Sequence, residues 1–268
     1  MISFAAIIPH HPILIPSIGQ EKLEMAKKTV EAMEKLKNKL VKIKPDIIIV
    51  ISPHGLIFAD AFCLNLAEKY FGSLELFGDL TTKMEFKSDS KLTYRIREHF
   101  ETANPPPFLT MISEQNLDYG VTVPLYYLTQ KTPSTNDYIS NFSIIPIGVS
   151  GLDYQKHFEF GQGLKEEIMQ SDKKIAVIAS GDLSHALNQT ENPVENKFDK
   201  QLIKFLKQKN TDKIINFDPN FVQEAKECGL RPIIVLLGIL DNLNYKPEIL
   251  SYEAPFGVGT LVAHFKIS

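Results

Sequence analysis

The chain has 268 residues, 44% of them hydrophobic and 23% charged, with a formal net charge of -3 and a pI of about 6.2. That length suits one large α/β domain with a sizeable core, and the faintly acidic balance excludes a nonspecific nucleic-acid binder, which carries a basic excess. No apolar run reaches the roughly 18–20 residues of a membrane helix, the first residues lack a secretory leader's basic region and cleavage site, and two cysteines, Cys63 and Cys228, make no disulfide framework. A cytoplasmic protein with neither a membrane nor a nucleic-acid partner is expected.

In chain order, residues 4–9 form the first short β-branched run. Residues 22–43 follow, with apolar side chains at helical spacing among many Lys and Glu. A second strand is expected at 46–52, then turn-rich loops at 71–80 and 104–107 and a polar surface loop at 133–141. Strands at 143–149 and 174–180 alternate with helices at 157–170 and 196–207, and an apolar helix at 233–240 comes late in the chain. The strands are apolar on both faces, as strands covered by helices on both sides are. The alternation predicts a single α/β domain, 1–268, around a central mixed or mostly parallel sheet with helices on both faces. There is no repeat, low-complexity segment or interdomain linker.

In such folds ligands bind at the carboxyl ends of the strands, and the histidines gather there. Residues 4–9 run into His10-His11-Pro12, residues 46–52 into Pro53-His54-Gly55, and residues 174–180 into Gly181-Asp182-Leu183-Ser184-His185. A single His after a strand is usually a loop residue; three independent cases point to one shared site of His10, His54 and His185. Adjacent residues leaving a strand point in opposite directions, so of His10 and His11 one is a ligand and the other a bystander. His99, His157 and His264 lie in helical or strand segments and read as structural or surface residues. Asp182 either orients His185 or closes the turn, the role Asp commonly takes there.

Two neutral imidazoles and one carboxylate form a facial triad suited to Fe(II), with open positions for dioxygen and substrate. The best source of the third ligand is Glu227-Cys228-Gly229-Leu230-Arg231-Pro232, just before the late apolar helix, where Pro232 suits the first turn. Against that stands the plainer reading, in which Glu227 answers the helix dipole and Cys228 packs in the core. His185, with an imidazole pKa near 6.5, suits proton transfer. No Gly-x-Ser-x-Gly elbow and no Gly-rich phosphate loop occur.

Pro9-His10-His11-Pro12, Ser52-Pro53-His54-Gly55 and Ser180-Gly181-Asp182-Leu183-Ser184-His185 resemble, in order and spacing, the ligand and catalytic segments of class III extradiol ring-cleavage dioxygenase catalytic subunits. Protocatechuate 4,5-dioxygenase beta chains and the related Memo proteins are members. The resemblance runs from the first strand to the tail at 251–263. It implies that His10, His54 and Glu227 hold Fe(II), that His185 is the acid–base residue, and that a small catecholic or related aromatic substrate is cleaved with dioxygen. Alignment on Pro12 makes His10 the ligand and His11 the variable residue. Two departures stand out. Tyr119, in Asp118-Tyr119-Gly120, occupies the place of a second active-site histidine, and Cys228-Gly229-Leu230-Arg231-Pro232 looks like the Memo pattern, which puts Cys at the site. The alternatives are therefore a Memo-like metal-binding protein with a redox or partner-binding role on His10, His54, His185 and Cys228, with zinc or copper as the metal, and a zinc hydrolase on the same ligands. A homo-oligomer and a small accessory subunit over the cleft both fit the resemblance.

Overall fold

The computed structural model describes residues 1–102, 109–130, 141–185 and 197–268. The loop expected at 104–107, nearly all of that expected at 133–141, and Asn196 lie outside these ranges. The chain opens with β1 (Ile2–Ile8), a 3-10 turn (Pro12–Leu14), one helical turn, α1 (Pro16–Gly19), a second 3-10 segment (Gln20–Ala26), α2 (Lys27–Ile43) and β2 (Ile47–Ser52). Next come β3 (Phe62–Asn65), β4 (Lys69–Leu74), a 3-10 turn (Glu75–Phe77), β5 (Asp79–Ser88), α3 (Ser90–Thr102), β6 (Leu109–Ile112) and α4 (Tyr119–Thr129). β7 (Ser143–Gly148), α5 (Tyr154–Met169), β8 (Ile175–Ser180), α6 (Lys197–Lys207), α7 (Thr211–Ile215) and α8 (Pro219–Ala225) lead to α9 (Leu230–Ile239), β9 (Tyr245–Glu253) and β10 (Thr260–Ile267).

Among the described residues the strands form one sheet in the order β4-β5-β7-β2-β8-β1-β10-β9, with β3 joining β7 and β6 beside β3. The centre is parallel: β5 with β7, β7 with β2, β2 with β8 and β8 with β1. β4, β10 and β9 run antiparallel to their neighbours. The expected mixed, largely parallel α/β sheet is what forms. Its strands are apolar on both faces because both are covered. In β2, Ile47, Ile49 and Ile51 join a core with Phe160 and Leu164 of α5 and Ile233 and Leu236 of α9. Ile48 and Val50 point the other way, onto Met33, Leu36 and Leu40 of α2 and Val121 and Leu125 of α4. The registers pair Ile8 with Ser180, Ile51 with Ala179 and Ser52 with Gly148, so these strands end nearly level. That common edge positions the site.

Three helix starts and one expected loop differ from the sequence reading, and α9 begins at Leu230, three residues before the expected start. α2 starts at Lys27 because residues 20–26 wind as a 3-10 helix. α5 starts at Tyr154, where the Asp153 carboxylate accepts the Lys156 N–H and caps the helix. Residues 71–80, expected as a loop, instead contribute to the hairpin of β4 and β5. Their Gly and Ser content suggested turns, yet Tyr70, Gly72 and Leu74 alternate inward and the Tyr70 hydroxyl donates to the Asn65 carbonyl at 2.8 Å. Gly161 and Gly163 lie on α5. Gly161 has a packing role, because α5 and α9 cross with Gly161 against Gly238. A Cβ on Gly161 would lie 2.2 Å from the Val235 carbonyl oxygen, and one on Gly238 would lie 2.2 Å from that of Phe158.

His157 is structural, as expected. It is fully buried, its Nδ1 sits 2.7 Å from the Asp153 carbonyl oxygen, and its Nε2 accepts the Ser150 N–H at 3.4 Å. Burial pulls its pKa down to about 4.

Two expectations follow. Gly161→Ala forces the α5–α9 crossing apart, at a cost of roughly 1–3 kcal/mol for overpacking, or roughly 2–4 °C of melting temperature per kcal/mol in a chain of this size. An unchanged melting temperature by calorimetry would show that the helices separate freely. For His157, the neutral ring is favoured in the folded state, so its contribution is complete above about pH 6.5 and is lost as the pH falls towards about 4. His157→Gln should flatten that part of the stability–pH curve relative to the wild type, measured by urea unfolding at stepped pH.

Candidate metal centre

His10 leaves β1 and turns inward. Its side chain is buried, its backbone N–H donates to Asp182 Oδ1 at 3.2 Å, and its Nδ1 lies 2.9 Å from Ser180 Oγ. His54 leaves β2 through Ser52-Pro53. Its N–H donates to Ser52 Oγ at 3.2 Å, and Ser52 Oγ donates to Asp118 Oδ1 at 2.6 Å. These supports bring the two Nε2 atoms to 2.9 Å from each other. Cys228 arrives from the lead-in to α9. Its N–H and that of Gly229 both donate to the Asp182 carbonyl, at 3.3 and 2.9 Å, and its Sγ stands 3.4 Å from His10 Nε2. This approach depends on two glycines in contact: a Cβ on Gly181 would lie 2.2 Å from Gly229 Cα. Among the described residues, His10, His54 and Cys228 are the group whose donor atoms lie within 4.8 Å of one another.

Glu227 faces elsewhere. Its Oε2 accepts the Leu230 N–H at 2.5 Å, so the carboxylate satisfies one of the free amides at the start of α9. Burial raises its pKa to about 7. Of the two consecutive candidates for a third ligand, the thiol joins the histidines and the carboxylate serves the helix. His11 also faces away: its Nδ1 accepts the Ile13 N–H at 3.3 Å and its ring packs on Phe256 at 5.8 Å.

His185 is exposed and lies outside the three-residue group. Its N–H donates to the Ala225 carbonyl at 3.0 Å and its Nδ1 lies 2.5 Å from the Lys226 carbonyl oxygen. A carbonyl only accepts, so Nδ1 is the donor in this contact. Tyr119 stacks on His54 with ring centroids 4.3 Å apart and brings its hydroxyl within 2.9 Å of His54 Nε2. Phe77, at the tip of the β4–β5 hairpin, packs edge-on against Tyr119 at 5.3 Å. Phe77 and His11 also line an open cleft of about 690 Å³, with Ile13 and Ile18 on its walls.

Burial dominates the electrostatics. It holds His10 well below the usual imidazole range, with His54 and His185 adding to the effect, and takes His54 to about 4. Both rings are therefore neutral near pH 7 and offer lone pairs. Burial, followed by the Asp182 charge, pushes the Cys228 thiol up. Burial also raises Asp182 to about 7 and Tyr119 to about 12. Two neutral nitrogens and a sulfur suit a transition metal. Metal–ligand bonds of about 2.0–2.3 Å hold donor atoms roughly 3–4 Å apart, close to the spacings here. A cation also supplies the opposite charge without which the thiol stays protonated.

Several working residues escaped the sequence reading. Asp182, expected to orient His185 or to close a turn, lies outside any turn, and its side chain accepts from the backbone of His10 and of His11. Ser52 and Ser180 are the last residues of β2 and β8, and both reach the start of α4. The same residue type ending two neighbouring strands was the available signal.

A family model described as the catalytic LigB subunit of aromatic ring-opening dioxygenase matches residues 4–263. The chain belongs to this family. Protein CA_C1420 of Clostridium acetobutylicum is 32% identical over 94% of the chain and 55% of its own length. MEMO1 family protein MJ0403 of Methanocaldococcus jannaschii is 29% identical over 42% of the chain and 38% of its own length. This LigB-family chain thus spans about half the length, or less, of these curated relatives. The crystal structure of uncharacterized protein JW3007 from Escherichia coli K12 superposes with a TM-score of 0.66 at 16% identity, covering 98% of this chain and 99% of that one, a likeness of fold.

His10→Ala and His54→Ala should each abolish stoichiometric metal uptake, and His11→Ala should leave it within a few-fold of the wild type. Anaerobic calorimetric titration with Zn(II) and Fe(II) measures this. Loss with the His11 variant and retention with the His10 variant would shift the ligand register by one residue.

Proposed function

We propose that this LigB-family chain is a metal-dependent oxidoreductase of the Memo-like kind, with His10, His54 and Cys228 as its metal ligands. The observation carrying this reading is that the Cys228 thiol, and not the Glu227 carboxylate, stands with the two imidazoles. The partial match to MEMO1 family proteins supports it. A thiolate with two imidazoles suits copper, zinc or iron more than the harder all-nitrogen-and-oxygen set of a ring-cleaving iron centre.

A bound metal would supply Lewis acidity and, if iron or copper, electron exchange with dioxygen. The chain's own residues do the rest. His10 and His54 offer neutral lone pairs, and Cys228 gives up its proton on binding the cation. Tyr119 directs its hydroxyl at the same cluster and can hold a ligand there through a hydrogen bond. His185, fixed by Nδ1 on the Lys226 carbonyl, keeps Nε2 free to take a proton from a substrate and return it. A small aromatic substrate would approach by the cleft that Phe77 and His11 line. A cytoplasmic setting accords with two free cysteines, and among the described residues no helix is long and apolar enough to cross a membrane. A second copy of the chain or a small accessory subunit would act at the mouth of this cleft.

A second reading is Fe(II)-dependent extradiol cleavage of a catechol. Its support is the family model, which describes a ring-opening dioxygenase subunit. It requires Glu227 to leave its cap on Leu230 and replace the thiol. A zinc hydrolase on the same ligands has no observation of its own in its favour.

Metal titration of two variants separates the readings. Cys228→Ser should weaken metal binding by well over the roughly 10–100-fold cost of losing a supporting partner alone. Glu227→Ala should leave affinity nearly intact and cost about 1 kcal/mol of stability, as loss of a helix cap does. Collapse of Fe(II) binding in Glu227→Ala with an unaffected Cys228→Ser, together with oxygen uptake on catechols by the wild type, would reverse the conclusion.

A further inference from the structure

We infer that Ser180 is a positioning residue that sets the tautomer of His10, and that it does so by anchoring its own proton on the first turn of α4. The argument is a count of protons. Ser180 Oγ lies 2.5 Å from the Gly120 carbonyl oxygen, which can only accept. A hydroxyl has one proton, so the Ser180 proton is committed to Gly120. The same Oγ lies 2.9 Å from His10 Nδ1, and with its proton spent it can only accept there. His10 Nδ1 therefore carries the ring proton, and in the neutral ring Nε2, which faces His54 and Cys228 and lies 3.7 Å from Asp182 Oδ2, beyond hydrogen-bond range, carries the lone pair. The imidazole stands in the metal-binding tautomer before any metal arrives.

Ser52 supports His54 differently, through the backbone N–H, so it places the residue without selecting its tautomer. Both serines end on the turn 118–120, Ser52 on the Asp118 carboxylate and Ser180 on the Gly120 carbonyl. That turn also carries Tyr119, so one helical turn holds the outer supports of both rings.

The inference uses His10 as a ligand and so rests on the proposed metal centre, but its main readout is taken on metal-free protein. Histidine-selective ¹⁵N labelling with long-range ¹⁵N–¹H correlation reports which ring nitrogen is protonated. The wild type should show His10 as Nδ1–H. Ser180→Ala should lose the His10 preference and bind Zn(II) roughly 10–100-fold more weakly, the usual effect of removing a partner behind a ligand. Ser180→Thr keeps the hydroxyl and should restore both the tautomer and the affinity to within a few-fold. A wild-type His10 protonated at Nε2, or a folded Ser180→Ala protein with the wild-type tautomer, overturns the role of Ser180. The expected tautomer without Zn(II) uptake would leave that role standing and reject the metal centre instead. If Ser180→Ala fails to fold, the wild-type tautomer and the Thr variant still decide.

Discussion

Asp182 is the residue on which the rest of the centre depends. It follows the end of β8, is fully buried, and uses both its side chain and its backbone. The carboxylate accepts from the His10 backbone, while the carbonyl accepts from Cys228 and Gly229. Segments 172 and 46 residues distant in sequence are thus joined to one strand end. Burying a carboxylate is costly unless donors surround it, and here the donors are the backbone N–H groups of His10 and His11. Removing the carboxylate would leave those amides unpaired, while Cys228 and Gly229 stay on the Asp182 carbonyl, so one residue ties both segments to the strand end by two separate groups.

That hub works only because the sheet delivers its strand ends together. β7, β2, β8 and β1 are parallel neighbours in near-level register, so residues leaving β1, β2 and β8 emerge along one rim. Helices on both faces are what make such a parallel arrangement stable. α9 must then pack closely enough for its lead-in to reach the rim, and the glycine contacts at Gly161 with Gly238 and Gly181 with Gly229 allow that approach. The thiol's position is therefore a product of helix packing as much as of the loop that bears it.

The fold was legible to a considerable depth. Runs such as 47–51 and 175–179 are apolar at every position, and a sheet covered on both faces uses such strands. The hairpin at β4 and β5 was not legible, because Gly72, Ser73 and Gly78 look like turn residues and the alternation that buries Tyr70 and Leu74 is short. The convergence of His10 and His54 could be inferred from their places after two strands. The supporting roles of Ser52, Ser180 and Asp118 could not, since each depends on which element lies across from it.

The amino-acid sequence alone determined which residue types stand at the strand ends, because period and composition fix strands and strand ends fix the loops that follow. Tertiary structure alone decided which of Glu227 and Cys228 stands beside the two imidazoles. The two are adjacent, both are chemically fit to bind a metal, and no local rule ranks them. The choice came from the direction in which the chain enters α9: the helix's free amide at Leu230 takes the carboxylate, and the contact of Gly229 with Gly181 turns the thiol towards the imidazoles.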